Sequence, residues 1–261
     1  MIRTEDGRLK ISASRLKTWL GCPLRWAAVY VDEQPVQATP SMAFGTAMHR
    51  ALEEHHRARW LGREPPDLLG AFEEALGGAG VLITARERGS MVGQAAGLLD
   101  LYLERFGREG VLAAELELAA PVVDPETGED LGELTGIIDL VTEDGRLVDL
   151  KTSARSPSGL QAVIANAVQL DCYRYLVAAN QPDLAVEAAE VRSLIRTKEP
   201  KVEVTTLPPR PFGPLIDLAR RYARAVDELE VYPWPGLLCS DSCPAIDACR
   251  TYHGLGLEVP A

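Results

Sequence analysis

The chain has 261 residues, 46% of them hydrophobic and 25% charged, an ordinary globular composition that excludes collagen-like repeats, coiled coil and wholesale disorder. No stretch approaches the roughly 20 consecutive apolar residues of a membrane helix, and the polar start Met1-Ile2-Arg3-Thr4-Glu5 lacks a signal-peptide pattern, so a cytoplasmic protein without a membrane partner is expected. Lys plus Arg total 27 against 38 Asp plus Glu, a net charge of −11 that by itself argues against a nucleic-acid binder. The charge is uneven, however. Residues 109–149 carry twelve acids and one base, while 1–25 carry six bases to two acids and 192–224 eight to three. An acidic segment between two basic flanks suits a metal centre serving an anionic polymer.

In chain order, residues 12–31 read as one helix or two, capped by Ser12 or Ser14, with Pro23 restarting the helix. A Pro/Gln-rich loop covers 34–40. Helical periodicity returns over 42–60, with Phe44, Met48, Leu52 and Leu61 on or near one stripe. Two further helices are expected near 68–77 and 84–107. The period then changes to strands over 111–123, 131–142 and 146–152, with turns at 124–128 and 143–145. A long helix over 160–179, strands over 186–197 and 202–207, and a helix over 212–229 precede a cysteine-rich tail. The expected fold class is therefore α/β: a small mixed sheet flanked by helices, with an N-terminal helical elaboration. A helical part to residue 110, a core over 111–230 and a cysteine-rich cap over 231–261 are its expected divisions.

The strongest chemistry lies in Gly136-Ile137-Ile138-Asp139 and Asp149-Leu150-Lys151. Glu143-Asp144-Gly145 makes a three-residue hairpin loop with Gly145 in the left-handed position, which sets Asp139 opposite Asp149. Opposed residues share a face about 4.5–5.5 Å apart, and Lys151, two further on, points the same way. Ile138, Leu140, Val148 and Leu150 are then expected on the other face. Two carboxylates so close repel unless a cation lies between them, and Mg²⁺ or Mn²⁺ fits an oxygen-rich site. Gln169 and Tyr173, four apart, share one helix face. His49, after the permissive Gly45, is a candidate third metal ligand, and Glu115 or Glu117 on the preceding strand a candidate helper.

These pieces, Gly45-x-x-x-His49, Gly136-Ile137-Ile138-Asp139, Asp149-Leu150-Lys151 and Gln169-x-x-x-Tyr173, resemble in order and approximate spacing the PD-(D/E)XK nuclease superfamily, specifically its RecB-like exonuclease branch. The resemblance implies a single restriction-endonuclease-like domain over 1–261. It also implies that His49, Asp139, Asp149 and the Leu150 carbonyl hold the metal, that Lys151 serves the attacking water, and that Gln169 and Tyr173 contact DNA.

Five cysteines, an odd number, argue against a disulfide framework and towards metal ligation. Cys239, Cys243 and Cys249 crowd the C-terminus, Cys22 lies more than 200 residues earlier, and Cys172 reads as a small core residue. Such thiolate sets hold zinc or iron–sulfur clusters. The one-plus-three division is similar to the 4Fe–4S staple of the AddB nuclease domain and of CRISPR-associated RecB-like exonucleases. Here Ser240-Asp241-Ser242 stands where that family commonly has two residues.

The expected activity is a metal-dependent DNA exonuclease working on single strands or ends in repair, recombination or phage DNA processing. No Walker A motif is present, so a helicase is a candidate partner. The alternatives are a CRISPR adaptation nuclease trimming spacer precursors with an integrase, or a non-catalytic DNA-binding subunit. Trp19, Trp26 and Tyr173 are candidate guides for a single strand.

Overall fold

The computed structural model describes residues 2–156, 159–184, 186–234, 236, 239–240 and 242–254, without the side chains of 159–163 and 165. Parts of the expected cysteine-rich cap, 235, 237–238, 241 and 255–261, lie outside the described residues. The elements run β1 (Lys10–Ile11), α1 (Ala13–Gly21), α2 (Pro23–Tyr30), α3 (Pro40–Trp60), α4 (Leu68–Gly78), α5 (Ala85–Phe106), β2 (Val111–Val123), β3 (Asp130–Thr142), β4 (Arg146–Ser153), α6 (Gly159–Asn180), β5 (Ala188–Ile195), β6 (Lys201–Leu207), α7 (Gly213–Asp227) and α8 (Ile246–Tyr252). The chain forms two compact units: Met1–Gln37, Ala119–Gly136 and Pro211–Ala261 in one, Ala38–Leu118 and Ile137–Arg210 in the other. Among the described residues no helix is long and apolar enough to cross a membrane.

In the larger unit β3, β4, β5 and β6 follow one another in a mixed sheet. β3–β4 and β5–β6 are antiparallel and β4–β5 parallel, with α6 as the crossover. Helices cover both faces. Phe44, Met48 and Leu52 of α3, Phe72 of α4 and Leu98 of α5 pack with Leu140, Val148, Leu150 and Leu194 in one cluster. Leu170, Tyr173 and Val177 of α6 pack with Ile138, Val141, Leu147 and Val191 in the other. Leu61, expected near the α3 stripe, is exposed just past the last turn. Local chemistry sets the boundaries. Thr39 caps α3, whose first residue is Pro40, and Thr84 with Glu87 closes a capping box on α5. A charged network is buried among α3, α5 and β5. Arg192, wholly buried, pairs with Glu109 and Glu190, lies 3.9 Å over the Phe106 ring and bonds the Tyr102 hydroxyl, which also meets His56 Nε2 at 3.0 Å.

In the smaller unit Ser12 caps α1, Pro23 opens α2, and β1 runs parallel to Glu133–Leu134 of β3. Trp26 is 2% exposed and its indole N–H donates to the Tyr222 hydroxyl of α7 at 3.0 Å. Buried and hydrogen-bonded, Trp26 is unavailable to stack on a base. Of the other two expected guides, Tyr173 is 5% exposed and Trp19 is half-buried.

Candidate active site

The hairpin of β3 and β4 positions the carboxylates. Gly145 adopts φ +78° and its N–H donates to the Thr142 carbonyl, closing the tight turn. The resulting register pairs Leu140 with Val148 and Val141 with Leu147, and continuing it sets Asp139 across from Asp149. The ladder itself does not continue. Asp139 Oδ2 instead accepts the Leu150 backbone N–H at 2.6 Å. Strict alternation fails there: Leu140 enters the α3 cluster whereas Ile138, two residues earlier, packs with α6. The expectation that Ile138 shares a face with Leu140, Val148 and Leu150 is thereby corrected; a side-chain bond replaces a backbone rung where the strand turns its apolar residue over.

Around these two carboxylates the larger unit gathers the other candidates. Lys151 Nζ lies 2.8 Å from each oxygen of Asp149 and donates its hydrogen bond to Oδ1. Gln169 of α6 donates to the same Oδ1 at 2.7 Å and to the Tyr173 hydroxyl at 2.8 Å. Asp149 is fully buried, and its Oδ2 is ion-paired with the Lys151 ammonium. His49, on α3, points its Nδ1 to within 3.9 Å of Asp139 Oδ2. Helix and strand come this close because position 45 is glycine: a Cβ there would stand 2.9 Å from Thr152 Oγ1.

The electrostatics follow from burial. Asp139 is pushed up to about 8, first by burial and then by the Asp149 charge. His49 is held below its ordinary value by burial and by Lys151, so its imidazole is neutral at neutral pH. Glu115, rather than exposed Glu117, belongs to this environment. It sits mid-strand at φ +50°, where Ala113 and Ala114 are both buried, the mark of a local bulge. Burial and the neighbouring Glu53 raise Glu115 to about 7, with Arg50 opposing. Glu53 and Arg50 were missed by sequence reasoning, although Glu53, four residues after His49, shares its helix face.

A family model for the PD-(D/E)XK nuclease superfamily matches residues 10–250. The chain belongs to the PD-(D/E)XK nuclease superfamily. The fold of this nuclease is similar to the crystal structure named "Putative exonuclease" from Eubacterium rectale, with a TM-score of 0.60 and 13% identity, covering 93% of this chain and 87% of that one. A second solved structure, SSO0001, aligns at 15% identity over 80% of this chain and 86% of that one, with a TM-score of 0.35. No curated protein matches the sequence.

Nucleases of this superfamily generally use divalent cations such as Mg²⁺ or Mn²⁺, and the residues present fit one. The donors are two buried carboxylates, a backbone carbonyl and a neutral imidazole, an oxygen-rich set of the kind such a hard cation takes. As they stand, no three His, Cys, Asp or Glu side chains among the described residues are grouped as a metal centre. In the smaller unit Cys22, Cys239, Cys243 and Cys249 line one small cavity of about 40 Å³ together with Leu24, Trp234 and Ile246. The backbone N–H groups of Trp234 and Gly236 donate to Cys22 Sγ (3.4 Å) and Cys239 Sγ (3.3 Å). Burial and then the three neighbouring thiols push the Cys249 thiol up. Crowded thiols with N–H donors aimed at sulfur suit a cationic metal group. Cys172 is a buried core residue of α6.

Proposed function

We propose that this nuclease is a metal-dependent DNA exonuclease of the RecB-like branch, acting on single strands or ends. The observation that carries the reading is the buried pair Asp139 and Asp149 beside Lys151. Asp139, Asp149, the Leu150 carbonyl and His49 would hold Mg²⁺ or Mn²⁺. The bound ion would polarise a phosphoryl oxygen and lower the pKa of a water. Lys151 orients that water and offsets charge developing on the phosphate. Gln169 fixes the Asp149 carboxylate and is itself fixed by Tyr173; half-buried, it is the member of that pair that can reach DNA. Glu115 adds negative potential behind the site. The name of the structural neighbour points the same way. The test is cleavage of end-labelled single- and double-stranded DNA with Mg²⁺ or Mn²⁺, against the same reaction in EDTA.

We also propose that Cys22, Cys239, Cys243 and Cys249 hold a 4Fe–4S cluster that staples the early and late parts of the chain. The thiol cavity and its two N–H donors support this reading. An anaerobic preparation should be brown; a colourless protein carrying stoichiometric zinc would refute iron. With no motor motif in the sequence, a helicase partner would supply unwound strands; in the alternative reading, an integrase would take up the trimmed product.

A further inference from the structure

We infer that Arg196 anchors a phosphate of the substrate strand next to the one being cut, an inference that rests on the nuclease reading above. β4 and β5 are parallel, with Lys151 beside Ser193 and Ser153 beside Ile195, and the Arg196 N–H donates to the Ser153 carbonyl at 2.8 Å. Arg196 thus leaves the end of the strand that adjoins the one carrying Asp149 and Lys151. It stands three residues beyond the level of Lys151, about 10 Å along the sheet at 3.3 Å per residue, within a nucleotide or two of a phosphate held at the carboxylates.

Its guanidinium is held in place. It lies 4.5 Å over the ring of Phe44, and Nη2 donates to Ser41 Oγ at 2.8 Å. Both partners belong to the first turns of α3, the helix that also presents His49 and closes on Thr152 at Gly45. Arg196 is therefore fixed in the same frame as the catalytic carboxylates.

It also lacks a counter-charge. Arg146, Arg192, Arg210 and Arg220, each buried or half-buried, pair with a carboxylate. Arg196 pairs with none among the described residues, in a chain with eleven more acids than bases. Burial alone acts on it, holding its pKa below the usual arginine value. Of five N–H donors, the bond to Ser41 uses one, and the Phe44 stack occupies a face rather than the donor edge. A desolvated guanidinium with a free, rigid fork is built to receive an oxyanion, and phosphate suits the fork's bidentate geometry.

The test uses the full-length protein, a fluorescein-labelled single-stranded oligonucleotide, and Ca²⁺ in place of Mg²⁺ to hold off cleavage. Binding is titrated by anisotropy over a range of salt for wild type, Arg196→Gln and Arg196→Lys, with melting curves alongside. Arg196→Gln should weaken binding about tenfold, the weight of one charge-assisted hydrogen bond. It should also flatten the slope of log K against log salt by about 0.7, one phosphate contact on a single strand. In Mg²⁺ the loss should fall mainly on KM. Arg196→Lys should keep the salt slope and recover part of the affinity. An unchanged slope in Arg196→Gln, or a loss of affinity that only follows a lowered melting temperature in both variants, would overturn the inference. If wild type neither binds nor cuts any DNA, the nuclease reading itself fails, an outcome distinct from a variant that behaves as wild type.

Discussion

Gln169 and Tyr173 form a chain of support that ends on Asp149, and the geometry predicts how their removal combines. Gln169→Ala deletes a 2.7 Å hydrogen bond to a fully buried carboxylate. A hydrogen bond to a charged group is worth about 1.5–3 kcal/mol, so kcat/KM should fall roughly 10- to 100-fold. Tyr173→Phe deletes the hydroxyl that accepts from Gln169 at 2.8 Å. A neutral hydrogen bond is worth about 0.5–1.5 kcal/mol, so the loss should be roughly 2- to 10-fold. Because the hydroxyl reaches Asp149 only through the amide, Tyr173→Phe should cost nothing more once Gln169 is alanine. The double-mutant cycle, run on an end-labelled oligonucleotide with Mn²⁺, should therefore return a coupling energy equal to the whole Tyr173→Phe effect. Additive losses would refute the relay, as would wild-type cleavage by Gln169→Ala.

Lys151→Ala should lower cleavage by about 10²–10³-fold without unfolding the protein, the usual cost of removing one transition-state donor; steady-state rates and circular dichroism check both halves. In EDTA, Asp139→Asn should stabilise the protein above pH 8. Its carboxyl, raised to about 8 in the fold, contributes stability below its ordinary pKa that is lost as pH rises through 8. A melting temperature unchanged or lowered at pH 9 would contradict that. His56 is depressed to about 3 by burial, then by His55, Arg192 and Arg59, so its contribution is complete above pH 6.5 and drains away as pH falls towards 3. Melting temperature should accordingly drop between pH 7 and pH 5, and His55→Leu, removing a buried ring whose nitrogens make no hydrogen bond, should soften the drop. Cys22→Ser should remove the brown colour and lower the melting temperature, since it opens a closure of more than 200 residues worth about 4–5 kcal/mol as an upper guide.

Much of the architecture is legible in the sequence because its signals are local. The period change near residue 111, the Glu143-Asp144-Gly145 turn and Pro23 at a helix start mark elements that the structure also has. The two-residue β1 and the short α8 leave no such trace; each is too brief to carry a period. Turn geometry likewise reads out the β3–β4 register. It cannot reveal that Asp139 takes the Leu150 N–H in place of a rung, which turns Ile138 to the other face. The choice between Glu115 and Glu117 depends on a left-handed residue inside a strand, which glutamate gives no reason to expect. Arg196 is illegible for another reason: a missing counter-ion is a fact of three dimensions, and its neighbours Ser41 and Phe44 lie more than 150 residues away in sequence.

The central claim is that the Asp139–Asp149–Lys151 hairpin hydrolyses DNA with a divalent cation. Its most direct test compares wild type with Asp149→Asn on end-labelled single-stranded DNA, in Mn²⁺ and then in excess EDTA. Wild type should shorten the strand from an end in Mn²⁺ and stop in EDTA, while Asp149→Asn should leave the strand intact in both. Cleavage that persists in EDTA, or survives in Asp149→Asn, would contradict the account.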